Sequence, residues 1–187
     1  LLVVAIGVLY GLGLESVHDS AVLLTALNTL FVVAALLIVA YLAARSYLFA
    51  GSRSLVALGS GALVLGIVYL LSGPLVTIPN DAVTISNIGI LVAGALFVLS
   101  AWWALAHGTP RVAADPTWRG VALPYAGGLV FTALLTWLTV TGRTPDFYVE
   151  GQGFTVLRKP VLGFGVAELL AAAVLFGLLY RRVRSRF

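Results

Sequence analysis

The chain has 187 residues, of which 61% are hydrophobic and 10% are charged, and its mean hydropathy is +1.09. Soluble domains are about half apolar and a quarter charged, so this composition excludes an ordinary soluble protein and predicts an integral membrane protein. Cysteine is absent, which excludes disulfide bridges, thiolate metal sites and a cysteine nucleophile.

The chain is basic, with a net charge of +4 and a pI near 9.8. Four of its eleven basic residues lie in the tail sequence RRVRSR, residues 181–186, immediately after an apolar run. A basic segment at the end of an apolar run is typical of membrane topology. We therefore expect the lipid bilayer, and no nucleic acid, as the partner of this charge.

Apolar segments that could cross a membrane follow one another along the whole chain. A spanning helix needs roughly 20 mostly apolar residues. Six segments approach this length, at about 1–14, 21–44, 54–71, 82–106, 120–141 and 160–180. The chain opens inside the first of them, at Leu1, without the basic start of a signal peptide, so we expect further residues upstream. The predicted fold is all-α, a single-domain polytopic bundle of about six transmembrane helices.

The basic residues between these segments are unevenly distributed. The connections 45–53 and 107–119, together with the tail, hold eight of the eleven Lys and Arg residues. The positive-inside bias predicts that these three regions face the cytoplasm. Both termini are then cytoplasmic in the cell membrane, and the connection 142–159 faces the other side.

The two histidines, His18 and His107, raise the question of a haem site. In the predicted topology they lie at opposite membrane faces, roughly 30 Å apart, so one haem cannot bind both. A haem held by a single histidine, or a pH response at His18 beside Glu15 and Asp19, stays open. A solvated loop histidine is the simpler interpretation of His18.

Groups that would perform catalysis are not brought together by this topology. We find no Ser/His/Asp arrangement, no pair of carboxylates in one span and no cluster of metal ligands, so we expect no enzyme. The sequence Gly151-Gln152-Gly153 is half of a dinucleotide-binding fingerprint and lacks the third glycine.

Glu168 is the one ionisable residue well inside a predicted span. It lies eight residues past Pro160, or about 12 Å into a hydrocarbon core of roughly 30 Å. A carboxyl at this depth is costly, so we expect it to be protonated, paired or in a wet cavity, and it is a functional candidate. A structural carboxyl bonded to a neighbouring helix is the alternative. Candidate polar partners inside the spans are Asn28, Asn87, Thr25, Thr29, Thr84 and Ser86.

The longest polar stretch is PDFYVEGQGFTVLRKP, residues 145–160. Pro145 and Asp146 favour a turn, and Gly151 and Gly153 are free to take positive φ angles. We expect a structured loop that folds back onto the mouth of the bundle. Arg158 and Lys159, at its end, would meet lipid headgroups or the acidic residues 146 and 150. A solvated turn with a basic membrane anchor is the alternative.

The segment TPDFYVEGQGFTVLRKPV resembles the region before the last helix in the MASE3 family of membrane-associated sensor domains. The family pattern there is roughly Pro, an aromatic, Glu-Gly-x-Gly-Leu-Thr, two residues and a basic residue. The matching positions are Pro145, Tyr148, Glu150, Gly151, Gly153, Thr155 and Arg158, with Phe154 in place of the leucine. The six-span layout and the stretch LTALNTLFVVAALLIVAYLAARS also resemble the family.

Departures from the family pattern lie at polar positions within the spans. The family usually has His and Glu at the start of span two, His near the end of span three, Trp and Arg in span four, and Glu about one turn into the last helix. This chain has Thr25 and Thr29, YLLSGP, TISNIGI and Leu162 in those regions. If the family's polar residues bind its signal, we expect this chain to bind a different signal or none.

The resemblance implies a sensory module, because the family's domains are typically fused to histidine kinases or diguanylate cyclases. The outer loop and upper bundle would receive a stimulus, and the last span would relay it to a cytoplasmic output domain or partner protein beyond Phe187. Homo-oligomers are expected, since sensors usually act as dimers. The hypothetical signal-binding residues are Glu150, Gly151, Gly153, Thr155, Arg158, Glu168, Asn28 and Asn87.

Two other classes of function compete with this prediction. An accessory subunit that scaffolds a larger membrane complex through its small-residue faces would have extensive contacts with other chains and a dry centre. A transporter that uses Glu168 is disfavoured, because the sequence shows no inverted repeat. The stimulus, and a pigment, lipid or quinone as cofactor, are left open by the sequence.

Overall fold

The structure is a computed structural model that describes residue 27 and residues 29–75, 78–107 and 117–184. Five helices account for most of this part of the chain. They are α1 (Ala34–Ala50), which follows a π-helical turn at Thr29–Val33; α2 (Arg53–Leu70), which continues into a second π-helical turn at Leu71–Leu75; α3 (Pro79–His107); α4 (Trp118–Val140); and α5 (Arg158–Arg184). Each is long and apolar enough to cross a membrane.

The predicted bundle of apolar helices is confirmed for the described residues, but the predicted count of about six is not. The last four predicted spans coincide with α2 to α5, and the segment 21–44 overlaps α1, which extends to Ala50. The segment 1–14 lies outside the described residues, as do His18 and Asn28. The prediction of an all-α fold is incomplete, because the loop before α5 forms two short antiparallel strands. These are β1 (Tyr148–Val149) and β2 (Gly153–Phe154).

Local sequence explains where several helices begin and end. Helix α1 ends at Gly51, whose backbone N–H donates to the carbonyl of Tyr47 at 2.7 Å. Helix α3 begins at Pro79, which suits the first turn because a helix leaves the first N–H groups without internal partners. Asp81 places a carboxyl in that turn, where the helix dipole favours negative charge.

Helix α2 is the centre of the described bundle and packs against α1, α3 and α4. Small residues permit this close packing. A Cβ added at Gly89 of α3 would lie 2.5 Å from both methyl carbons of Val68 on α2, and Val68 is fully buried. A buried hydrogen bond also joins the two helices, since Ser100 Oγ donates to the carbonyl of Ser54 at 2.7 Å. The buried apolar core consists of Val64, Leu65, Val68, Ile85, Ala93 and Leu135.

Helix α5 lies at the edge of the bundle, and α3 is its one extensive neighbour among the described residues. The two helices approach closely at Gly165, where an added Cβ would lie 3.0 Å from Cγ2 of Ile90 and 3.3 Å from the backbone N of Leu91. Away from α3, its apolar side chains are exposed in the described structure, as at Leu170 and Val174. Most of the surface of α5 therefore makes no extensive contact with the other described helices.

The two ends of the bundle differ in character. One end, which we call the hairpin end, holds the start of α3, the end of α4 and the two strands. The other, which we call the arginine end, holds Arg53 at the start of α2 and the last turn of α5 with Arg181, Arg182 and Arg184. There, Nη1 of Arg182 donates to the carbonyl of Leu105 at 2.9 Å, so α5 follows α3 along its length.

Candidate functional site

The glycine-rich loop before α5 is an ordered β-hairpin, residues 148–154. Its strands pair Tyr148 with Phe154, and the N–H of Gln152 donates to the carbonyl of Val149 at 3.1 Å to close the turn. Gly151 and Gly153 have φ angles of 79° and 83°, which other residues rarely adopt. The expectation that these two glycines bend the loop is confirmed.

A single side chain, Asn80 in the first turn of α3, attaches the hairpin to the bundle. Its Oδ1 accepts hydrogen bonds from the N–H groups of Phe147 at 2.9 Å and Tyr148 at 3.0 Å. Its Nδ2 donates to Oδ1 of Asp146 at 2.8 Å. Phe147 is 2% exposed, so this attachment also buries an aromatic ring. We call this group of contacts the Asn80 clasp.

The other edge of the hairpin is closed by Thr155. Its hydroxyl donates to the carbonyl of Asp146 at 2.8 Å, and its N–H donates to the carbonyl of Phe147 at 3.1 Å. These bonds join the two sides of the loop just before α5 begins. The hairpin is therefore connected to the start of α5 by hydrogen bonds as well as by the chain.

Arg158, the first residue of α5, packs against the hairpin instead of extending towards an acidic residue. Its guanidinium carbon lies 3.6 Å from the centre of the Phe154 ring, a cation–π contact. The Phe154 ring in turn meets Tyr148 edge to face, with centroids 5.5 Å apart. Nε of Arg158 is buried without a hydrogen-bond partner among the described residues. The packing of this basic residue joins α5 to the turn.

Glu168 lies on the α3–α5 contact, ten residues beyond Arg158 and therefore about 15 Å further along the helix. A Cβ added at Gly94 of α3 would lie 2.9 Å from Cβ and 2.9 Å from Oε2 of Glu168. Oε2 is buried and has no hydrogen-bond partner in the part of the chain that the structure describes. The carboxyl therefore rests on a glycine surface that offers it no donor.

Asn87 is the second polar group on this side of α3. It precedes Leu91 by four residues and Gly94 by seven, so the three share one face of the helix. Its side chain is 3% exposed, and Nδ2 lacks a hydrogen-bond partner among the described residues. Asn87 and Gly94 are about 10 Å apart along the axis. The α3–α5 contact thus holds two separate polar groups without a partner among the described residues, Asn87 on α3 and Glu168 on α5.

Replacing Glu168 with leucine is expected to raise the free energy of unfolding by about 1–3 kcal/mol, because it removes a buried acceptor that has no donor among the described residues. The midpoint of thermal unfolding in detergent would show the gain. Glu150→Gln, at an exposed position of the turn, is the matched control and should change stability by less than about 0.5 kcal/mol. A loss of stability in Glu168→Leu would show that the carboxyl has a stabilising partner.

The predicted site residues fall into separate groups. Glu150 and Gly151 are exposed at the turn of the hairpin, with Gly153, Thr155 and Arg158 beside them. Glu168 and Asn87 belong to the helical contact, and Asn28 is outside the described residues. The structure brings together the five residues of the loop, but it does not bring Glu168 to them.

Residues that sequence reasoning missed hold the loop in place. Asn80 was not singled out, although it stands between Pro79 and Asp81 in a turn-like sequence at a helix start. Asn side chains often bond nearby backbone in such places, but its partners here are 66 to 68 positions away. Only the fold shows that contact.

A cavity of about 720 Å³ between α2, α3 and α4 was also missed. It lies towards the arginine end, and none of the predicted site residues lines it. Comparisons of the chain with protein-family models, with curated proteins and with solved structures give no match.

Proposed function

We propose that this chain is a non-enzymatic signal-input module of a cell membrane. In this proposal the hairpin receives the stimulus, and α5 relays it to an output domain or partner protein at the arginine end. The hairpin faces the outside and both termini face the cytoplasm, as the distribution of Lys and Arg favours. The resemblance of residues 145–160 to membrane-associated sensor domains supports the same class of function.

One observation supports this proposal most directly, namely that α5 is continuous from the hairpin to the arginine end and has one extensive neighbour among the described residues. A helix held on one side can change its packing without disturbing the core around α2. Helix shifts of about 1–2 Å at such contacts are a known means of switching. The hairpin contacts the start of this helix through Thr155 and Arg158, and the Asn80 clasp attaches the hairpin to α3.

The contact between α5 and α3 is also incompletely satisfied. Glu168 and Asn87 each hold a buried polar atom without a partner among the described residues. Such groups weaken the packing in which they lie, since an unsatisfied buried group costs about 1–3 kcal/mol. A second packing of α5 that gives one of them a partner would then lie close in energy, which is what a two-state relay requires.

The exposed apolar surface of α5 supports self-association as part of the proposal. Leu170 and Val174 lie one turn apart and are each 63% exposed. Pairing of two copies through α5 would place both relay helices side by side above two output domains. An accessory subunit would use the same surface for a different chain, so the surface alone does not distinguish the two functions.

Distances between spin labels test the relay, because the chain has no cysteine and accepts labels at introduced sites only. Labels at Ala106→Cys on α3 and Tyr180→Cys on α5 report the arginine end. We expect Asn80→Ala, at the hairpin end, to shift this distance by about 1–2 Å or to add a second population. A reference pair, Ala106→Cys with Phe49→Cys on α1, should not change.

Thr141→Ala is the matched control variant, because its hydroxyl bonds only within α4 near the hairpin end. It should leave both distances as they are. An unchanged distance between α3 and α5 in Asn80→Ala would contradict the relay. That result would favour the accessory subunit, for which a rigid helix and a stably bound partner chain are expected.

A further inference from the structure

The cavity of about 720 Å³ is a groove with α2 as its floor and α3 and α4 as its walls. Val56, Ser60 and Val64 of α2 line the floor and are buried. On the side of α4, Pro124 and Gly127 line the groove and are themselves exposed. Such a groove opens sideways, in the direction where a membrane-spanning bundle meets lipid. Its volume lies within the range of about 300–1,000 Å³ that is typical of small-molecule sites.

The mouth of the groove is positively charged. Arg53, the first residue of α2, lines it and is exposed, and no acidic residue is among the described residues that line it. Tyr47 of α1 lies beside Arg53 in the lining, with its hydroxyl close to Gly120 of α4. Trp103 completes the polar side chains there, and tryptophan favours the headgroup layer. These side chains can donate hydrogen bonds, so an anionic group is the ligand that suits the mouth of the groove.

Inside the groove, one polar side chain has no partner. Ser60 is 4% exposed, and its Oγ forms no hydrogen bond to any described residue. It lies seven residues beyond Arg53, or about 10 Å deeper along α2. At this depth the small side chain of Ser60 leaves room for an occupant of the groove.

Beyond Ser60 the lining is apolar, with Val64, Val92 and Phe131 among its residues. From Arg53 to Val64 the groove follows eleven residues of α2, or about 16 Å. This length is close to half of a hydrocarbon core of roughly 30 Å, which is the depth of one leaflet. The groove therefore has a cation at its mouth, a small residue below it and an apolar channel one leaflet deep.

We propose that this groove binds one anionic phospholipid of the leaflet at the arginine end. The phosphate lies at Arg53 and Tyr47, and one acyl chain passes Ser60 and fills the channel between α3 and α4. Basic pockets between transmembrane helices are known to bind such headgroups. Helices α3 and α4 make few direct contacts with each other. The bound lipid lies between them and so connects α4 to α2 and α3.

The charge at the mouth is tested in nanodiscs that contain equal amounts of phosphatidylglycerol and phosphatidylcholine with the same acyl chains. Native mass spectrometry then gives the ratio of the two lipids retained by the protein. We expect an excess of phosphatidylglycerol, and Arg53→Gln should lower it about fivefold, the effect of about 1 kcal/mol per basic residue. Arg45→Gln, an exposed arginine that does not line the groove, should leave the ratio unchanged.

Filling the channel is the second test. A side chain at Gly127 meets no atom within 4 Å of its Cβ, so Gly127→Leu extends into the groove without a clash at that point. The leucine side chain and the acyl chain of the lipid would then occupy the same space, and overpacking costs about 1–3 kcal/mol. Gly127→Leu should therefore lower the retention of both lipids at least about tenfold. Gly163→Leu, at an equally open glycine on α5, is the matched control and should retain the lipid.

The position of the lipid is checked with phosphatidylglycerol that has a photoreactive group in its acyl chain. Crosslinks near Val64 and Phe131 are expected. The proposal is overturned if Arg53→Gln equals Arg45→Gln in lipid ratio or Gly127→Leu retains lipid as Gly163→Leu does. It is also overturned if the photoreactive lipid crosslinks elsewhere on the chain and not to the residues of the groove.

Discussion

Replacing Gly89 with alanine is expected to lower the free energy of unfolding by about 1–3 kcal/mol, the usual cost of overpacking a core. The added methyl group would lie 2.5 Å from both methyl carbons of Val68. Val68 is fully buried, and its branched side chain has one strongly preferred rotamer in a helix, so it cannot turn aside. Thermal and denaturant unfolding of the purified protein in detergent would measure the loss.

Two further variants separate this clash from the general effect of adding a methyl group. Gly177→Ala, at a position on α5 with nothing within 4 Å, should be neutral or slightly stabilising, since alanine favours the helix. Val68→Ala should partly rescue Gly89→Ala, giving a favourable coupling energy in a double-mutant cycle. Additive effects of the two substitutions would contradict the contact between α2 and α3 described above.

Replacing Asn80 with alanine is expected to release the hairpin from α3. The change removes three hydrogen bonds and leaves the N–H of Phe147 without its acceptor, at a cost of about 1–3 kcal/mol for such a group. Hydrogen exchange of the amides of Phe147 and Tyr148 should become roughly tenfold to hundredfold faster. The amides of α2 should not be affected, because the clasp is local.

Asn80→Asp separates the two kinds of hydrogen bond in the clasp, those that Asn80 accepts from the backbone and the one that it donates to Asp146. A carboxylate can still accept from the two backbone N–H groups, but it cannot donate to Asp146, and it adds a negative charge beside Asp81 and Asp146, which already repel each other. Exchange at Phe147 should therefore be intermediate between that of the native protein and that of Asn80→Ala. Equal exchange in Asn80→Asp and Asn80→Ala would show that the backbone bonds do not hold the hairpin.

The sequence predicted the helical segments well because their physical cause is local. A run of about 20 apolar residues must form a helix in lipid, where every backbone group needs an internal partner. The two glycines of the hairpin were also predictable, because positive φ angles are a property of the residue itself. These features do not depend on which helix lies next to which.

The contacts between distant segments could not be predicted in the same way. The sequence indicates Glu168 by its depth in a predicted span. Its contact with Gly94, however, depends on the packing of α5 against α3. The sequence around Asn80 and Ser60 did not indicate their roles. The hydrogen bond of Asn80 to residue 147 depends on tertiary packing, and so does the burial of the Ser60 hydroxyl away from any partner among the described residues. In a bundle whose helices are apolar on all sides, hydrophobic periodicity does not identify the neighbours.

Because α3 is the one extensive neighbour of α5 among the described residues, the described bundle divides into two units. One unit is the group of α1 to α4 around α2, which shares a buried core. The other is α5 with the hairpin, attached through the α3–α5 contact and the Asn80 clasp. A force applied at the carboxyl end of α5 would act on the α3–α5 contact and the Asn80 clasp before it reached the core around α2.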